Sequence, residues 1–237
     1  MELSAELYRA IKFDAEIKEY EIEGRKYTSG ALHPIKEPTV ECLEVSTLTG
    51  LVDYLASSMD DYDMDGIFCH VESPTEVTIR STIIGAFKQR EAIIKAELGF
   101  EQFKFGEWHD AESFIIAAQA CFKSSESREL ILKYVGNMKA EAVKTVGDDG
   151  ISQQITTKVG VATVKDVVLP NPVALRPYRT FNEVEQPESQ FVFRAREGRD
   201  TIMFALFEAD NGAWRGEAMR NIKAYMKEHV ADLHVIA

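Results

Sequence analysis

Cysteine is scarce in this chain, and long apolar runs are missing. The 237 residues include three cysteines, Cys42, Cys69 and Cys121, an odd number with no two close in sequence. This pattern disfavours a disulfide framework and a cysteine-based zinc site. No apolar stretch approaches the roughly 20 residues that span a bilayer. The first residues also lack the basic start and apolar stretch of a signal peptide. We therefore expect a cytoplasmic protein that does not contact membranes.

Motifs of catalysis are also missing from the sequence. It contains no GxSxG, HExxH, GxxxxGK[ST] or GxGxxG, the patterns of common hydrolase, metalloprotease and nucleotide sites. Trp108-His109-Asp110 invites a catalytic interpretation, but Asp110 has a simpler role as a helix cap. We expect a protein without a cofactor that is not an enzyme. An active site assembled from scattered residues is the alternative.

Basic residues are outnumbered, and the imbalance is uneven along the chain. Lys and Arg total 27 against 39 Asp and Glu, which gives a net charge of −12. Residues 1–69 alone hold 15 acidic and 6 basic residues. Phosphate backbones repel such a surface, so nucleic-acid binding is disfavoured unless a local basic patch exists.

Apolar periodicity predicts an α+β fold built mainly on antiparallel strands. Period-2 stretches are separated by short turns, and amphipathic segments lie near both ends of the chain. The sequence lacks repeats and long linkers, so we expect a single domain over 1–237, with a weak possible boundary near 124–127. Predicted helices cover 3–11, 46–59, 110–122 and 215–230. Predicted strands cover 39–45, 66–72, 77–84, 92–98, 173–181, 190–196 and 201–209, with hairpins within 15–31 and 140–159. Residues 127–138 are ambiguous.

One stretch matches a metal-binding pattern. Asp61, Asp63 and Asp65 alternate, Gly66 is the sixth residue of the loop, and Glu72 is the twelfth. This is the spacing of the calcium loop of an EF-hand. An EF-hand needs a helix after this loop, but the next residues favour a strand and include a proline two positions after Glu72. An acidic turn between helix and strand explains the same residues and is preferred, with calcium binding as the alternative.

Arginine and aromatic residues are concentrated in 176–199. Arginine forks and aromatic rings suit phosphates and bases, so nucleic-acid or nucleotide binding is one interpretation. Strand alternation would place Phe193 on one face and Arg194 and Arg196 on the other. Pairing of the arginines with nearby glutamates, including those at 183, 185 and 188, is the structural interpretation and is favoured. The candidate residues are Arg176, Tyr178, Arg179, Phe193, Arg194 and Arg196.

The order of segments resembles the YfdQ-like family of phage and prophage proteins. The segments are VSTLTGLVDYL, VTIRSTIIGAF, FEQFKFGEWHDAESFI, the hairpin AEAVKTVGDDGISQQITTKV, and VVLPNPVALRPYRTFNEVEQPESQFVFRAR, followed by a closing strand and helix. The likeness spans residues 15 to 230 or so. It implies a phage-encoded protein made in a bacterial host, and it implies no catalytic residues.

These features together predict an accessory protein that acts through protein contacts. Strand edges need cover, and self-pairing is one way to supply it, so a homo-oligomer is expected. The partner would be the chain itself and a host or phage protein. A virion component and a nucleic-acid binder are the alternatives.

Overall fold

The computed structural model describes residues 18–28, 39–60, 62–85, 88–99, 101–139, 146–148, 153–155, 170–199 and 201–237. The predicted α+β fold is confirmed, because mostly antiparallel strands form two principal sheets and helices pack against them. The predicted helix over 3–11 lies outside the described residues. No described helix has the length and apolar character needed to cross a membrane.

The first principal sheet has five strands, and four of them run in one direction. The strand order is β13-β4-β5-β6-β3, with β3 parallel to β6 and β13 parallel to β4. Strand β5 is antiparallel to both of its neighbours. Strands β3, β4, β6 and β13 therefore all begin at the same end of the sheet. The bounds are β3 Leu43–Val45, β4 Ile67–Ser73, β5 Glu76–Ser81, β6 Ala92–Glu97 and β13 His234–Ile236.

Two helices cover one face of this sheet. Helix α1, Leu48–Ser57, begins where Thr47 accepts a hydrogen bond from the Gly50 N–H, which satisfies one of the free donors of the first turn. The last helix, α4, Trp214–His229, contributes Ile222 and Met226 to the same core. Strand β4 alternates as predicted: Ile67, Cys69 and Val71 are buried, and the half-buried side chains of Phe68, His70 and Glu72 lie on its other face.

The second principal sheet has four strands and an aromatic core. The strand order is β10-β11-β12-β7, and every pair is antiparallel. Helix α2 begins after Asp110, whose carboxylate accepts from the N–H groups of Glu112 and Ser113, as the sequence predicts. The ambiguous residues 127–138 belong to helix α3. The bounds are β7 His109–Asp110, α2 Ala111–Cys121, α3 Glu126–Lys139, β10 Val173–Leu175, β11 Ser189–Glu197 and β12 Ile202–Glu208.

Each principal sheet has its own hydrophobic core. Helices α2 and α3 pack on the four-stranded sheet, whereas α1 and α4 pack on the five-stranded one. Of the predicted weak boundary at 124–127, residues 124 and 125 lie between α2 and α3, and 126 and 127 begin α3; the two helices share one core. The chain builds the four-stranded body after β6 and then returns through α4 and β13 to complete the five-stranded body.

Two short hairpins complete the described elements. Strand β1, Glu19–Ile22, pairs with β2, Arg25–Thr28, across the predicted turn at Glu23 and Gly24, both of which have positive φ. Strand β8, Val146–Asp148, pairs with β9, Gln153–Ile155, as the sequence predicts for this part of 140–159.

Candidate functional site

Arg179, the central residue of the Arg/aromatic candidate region, is buried between the two bodies. Its side chain is about 2% exposed and donates a hydrogen bond of 2.6 Å to Glu208 Oε1. Burial lowers the pKa of Arg179 to about 10, and the Glu208 carboxylate opposes that shift. The guanidinium also lies over three aromatic rings, those of Trp214 at 4.0 Å, Phe191 and Phe105. Arg179 therefore packs inside the protein and is not presented to a ligand.

The residues after Arg179 connect the two cores. The buried amide of Gln186 accepts from the N–H groups of Arg179 and Thr180 and donates to the carbonyls of Thr180 and Phe181. Phe181 is fully buried in the core of the five-stranded sheet. Glu183 accepts from the N–H of Thr49, at the start of α1. These contacts give residues 179–186 a structural role at the junction.

Arg176 and Tyr178 lie at the surface end of this segment. Arg176 pairs with Glu185 at 3.0 Å and with Glu188 at 3.3 Å, as the structural interpretation expects for nearby glutamates. Both partners are more than half exposed, so this pairing contributes little to stability. The Tyr178 N–H donates to the carbonyl of Cys121 at the end of α2.

The candidate residues of β11 divide between the two faces of the sheet, as their alternation predicts. Phe193 is 4% exposed and packs in the aromatic core. Arg194 is half-buried on the other face, and Arg196 places its guanidinium 4.0 Å from the Trp108 ring. Ser189 and Arg196 are seven positions apart on this strand, about 23 Å. Leu175 pairs with Ser189, so Arg176, the next residue, lies near the Ser189 end of β11 and far from Arg196. The six candidates therefore do not form one compact basic patch.

The acidic loop is a turn between helix and strand. Asp61 lies outside the described residues. Asp63 accepts from the N–H of Asp65 at 3.2 Å and begins a short 3₁₀ turn, Met64–Gly66. Strand β4 follows at once, and its extension carries Glu72 roughly 16 Å beyond Ile67. The structure therefore does not bring Glu72 to Asp63 and Asp65, because the chain leaves the loop as a strand.

Glu72 has another partner in the sheet. It accepts from Arg80 Nη2 at 2.6 Å, on the neighbouring strand β5. Burial by itself raises the pKa of Glu72, but the hydrogen bonds it accepts and the Arg80 charge outweigh this and hold the pKa below its ordinary value. Among the residues that the structure describes, no group of three or more His, Cys, Asp or Glu side chains could hold a metal ion.

Sequence reasoning missed a groove at the end of the sheet where β4 and β13 begin. Its volume is about 400 Å³. The Arg90 guanidinium lies 5.2 Å from the centre of the Phe68 ring on one side of it. Gly66 anchors the loop there, because its carbonyl accepts from the Thr82 N–H. The side chains that line the groove include Met64, Asp65, Phe68, Arg90, Asp232 and His234.

Large apolar side chains are exposed at the same end of the sheet. They belong to the segments that enter β3 and β4 and to the connection from β5 to β6. Single exposed apolar residues are ordinary on a protein surface, whereas several along the same end of one sheet favour an interaction surface. We name this set the apolar end: Val40 and Met59, both 75% exposed, Ile83 57%, Leu43 50%, Tyr62 37% and Ile84 37%.

Comparison of the chain with family models, with curated proteins and with solved structures found no match in any of the three. The likeness to the YfdQ-like family therefore stays a prediction that rests on the order of segments.

Only a weak signal in the sequence could have indicated the apolar end. Ile83 and Ile84 stand directly before Gly85, which has positive φ, and Met59 stands beside the acidic loop. Apolar residues next to turn residues are the pattern to note, because a turn places them at the end of a sheet and outside its core.

Proposed function

We propose that this chain is an accessory protein that acts without catalysis, through contacts with other proteins, and that it forms a homo-oligomer. The observation that carries this proposal is the apolar end, where six large apolar side chains are each more than a third exposed around one end of the five-stranded sheet. Such a concentration of apolar surface gains free energy when another protein covers it.

The resemblance to phage and prophage proteins suggests in which cell these protein contacts would form. A phage-encoded protein made in a bacterial host would meet host proteins and other phage proteins in that cell. The partner class proposed here is accordingly a host or phage protein, in addition to a second copy of the chain.

The open edge of β3 supports self-association. Strand β3 pairs only with β6, and no other described strand covers its outer edge. Exposed strand edges pair readily with another chain, and closed two-fold symmetry is the commonest form of such assembly. Val40 and Leu43 add apolar contact area at this edge. We place the contact between copies at β3.

Light scattering during size-exclusion chromatography tests this assembly. We expect a dimer, twice the chain mass of 26.7 kDa. The double variant Val40→Lys/Leu43→Lys should restore the monomer mass, because lysines on an edge oppose strand pairing. The control Ile116→Lys changes a side chain that is 60% exposed on α2, in the other body, and should leave the dimer intact. A monomer mass for the wild-type protein over a wide concentration range would contradict self-association.

Nucleic-acid binding through 176–199 has weaker support. Arg179 and Phe193 are buried, and Arg176 is paired with Glu185 and Glu188. A binding surface for phosphates needs several accessible cations close together. We therefore rank this function below protein contacts.

A further inference from the structure

We propose that the groove where β4 and β13 begin binds a basic amphipathic segment of a partner protein. This inference rests on the proposed function and names the chemistry of the partner. It concerns the β13 side of the sheet, whereas self-association is placed at β3, the opposite edge. The two edges are four strand spacings apart, about 19 Å, so both contacts fit on one molecule.

The floor of the groove is apolar. Met64 and Phe68 are half-buried there, and Ile236 is 43% exposed. A volume of about 400 Å³ is at the lower end of the range for pockets that enclose small molecules. It accommodates one or two side chains that project from a partner segment, and Ile83 and Ile84 of the apolar end lie beside it, past Thr82 of the groove lining.

The charge of the groove decides which side chains fit. Asp65 and Asp232 line it, and Asp60 and Asp63 belong to the adjoining loop. Among the described residues none of these four carboxylates forms an ion pair; Asp60 accepts a hydrogen bond from the Tyr54 hydroxyl, and Asp63 accepts one within its own turn. Arg90 and His234 also line the groove, and the Arg90 guanidinium lies over the Phe68 ring. The four carboxylates of the groove and its adjoining loop outnumber this one arginine.

Lysine and arginine combine the two properties that this groove requires. Their long stems are apolar and cover apolar surface, while their charged heads stay at the polar rim. Stems on Met64 and Ile236, beside the Phe68 ring that Arg90 covers, would place the heads near Asp65 and Asp232. Complementary charge also raises the rate of encounter and selects against wrong partners.

The same charge disfavours the other occupants of this groove. A second copy docked here would bring its own two aspartates together with its Arg90, so it gains less from complementary charge than a basic segment does. The phosphates of a nucleic acid would be repelled by the aspartates. A basic protein segment is the occupant for which both the apolar floor and the acidic walls are favourable.

A labelled peptide of about 14 residues, roughly four helical turns, tests this proposal by fluorescence anisotropy. The peptide contains leucine on one face and lysine on the other, and its counterpart contains leucine and glutamate. We expect the lysine peptide to bind the full-length protein, more weakly as salt is added, because exposed charges are screened. We expect the glutamate peptide to bind at least tenfold more weakly, a difference of about 1.4 kcal/mol.

Variants locate the binding. The double variant Asp65→Lys/Asp232→Lys should bind the lysine peptide about tenfold more weakly, or weaker still. Glu107→Lys/Glu129→Lys makes the same change in net charge at exposed positions of the other body and should leave binding unchanged. If thermal melting shows that the groove variant is unfolded, Asp65→Asn/Asp232→Asn replaces it, with a smaller loss expected. Equal losses in the groove and control variants, or equal binding of both peptides, would overturn the proposal.

The outcomes also separate this inference from the function on which it rests. A dimer that binds neither peptide would overturn the groove proposal and leave protein contacts standing. A monomer that binds neither peptide would overturn both.

Discussion

The side chain of Arg179 lies where the two bodies meet, and its neighbours come from distant parts of the chain. Phe105, Phe191, Glu208 and Trp214 surround it. The guanidinium compensates its burial by pairing with Glu208 and by contact with aromatic faces, both of which favour a buried cation. Arg179 thus connects residues that pack in the core of the four-stranded sheet with the first residue of α4, a helix of the other body.

Substitution of Arg179 tests this structural role. Arg179→Glu should lower the free energy of unfolding by about 3–5 kcal/mol, because it buries a carboxylate beside Glu208 without a cation. The control Arg199→Glu, at an exposed position before β12, should change it by no more than about 0.5 kcal/mol. Denaturant midpoints provide the measurement. Unchanged stability in Arg179→Glu together with loss of oligonucleotide binding would contradict the structural role and favour the nucleic-acid function.

At the scale of single elements, helix α2 depends on Asp110, the residue that caps its N-terminus. The N–H and hydroxyl groups of Ser113 and the N–H of Glu112 bond to the Asp110 carboxylate and hold the pKa of Asp110 below its ordinary value. A lowered folded-state pKa stabilises the protein above the pKa of the unfolded chain, and this contribution is lost as the pH falls through the folded-state value.

Asp110→Ala should therefore cost about 1 kcal/mol at neutral pH, because the cap of α2 is lost. Asp110→Asn keeps a capping oxygen but has no charge to titrate. At pH 7 we expect this variant to have a lower free energy of unfolding than the wild-type protein. That difference should shrink as the pH falls through 3.8, the ordinary pKa of aspartate, and below. Urea unfolding of the three proteins across this range measures the effect. A deficit of Asp110→Asn that stays constant with pH would show that the carboxylate charge does not stabilise the helix.

The last helix, α4, depends on its buried face. Ile222 and Met226 are fully buried against the five-stranded sheet, whereas Met219 is half-buried. Ile222→Ala should cost about 2–5 kcal/mol, and Met219→Ala should cost less, because the loss scales with the apolar volume removed from the core. Thermal and denaturant unfolding of the two variants would show which loses more free energy of unfolding. Equal midpoints for the wild-type protein and Ile222→Ala would show that this face is free for an interface.

Much of each element could be predicted from the sequence, because local patterns report local structure. Alternation of Phe191, Phe193 and Ala195 predicted β11 and its buried face, and Asp110 predicted the start of α2. Residues 127–138 are ambiguous in the sequence because their apolar positions are mixed with charged ones and a glycine. This helix is set by packing on the aromatic core, and such packing leaves little trace in a short window.

At the scale of the whole molecule, the arrangement of the elements could not be predicted. The order of segments does not reveal that β13, the last strand, pairs parallel with β4, or that two cores form. The groove is lined by residues from near positions 65, 90 and 232. Arg179 contacts residues at positions 105, 191, 208 and 214. Contacts over such separations depend on tertiary packing, which periodicity and spacing do not encode.

Two surfaces of the molecule follow from this arrangement. The outer edge of β3, which no other described strand covers, lies beside Val40 and Leu43, and the groove presents an apolar floor with acidic walls. They lie at opposite edges of one sheet, so self-association and partner binding need not compete.

Hydrogen–deuterium exchange at two protein concentrations, roughly a hundredfold apart, tests the central claim that the chain acts through protein contacts at this sheet. Pairing of β3 with a second copy would engage backbone N–H groups in hydrogen bonds and slow their exchange. We predict that residues 40–45 exchange more slowly at the higher concentration, whereas α2 in the other body shows no change. Equal exchange of residues 40–45 at both concentrations, together with a monomer mass, would contradict the claim.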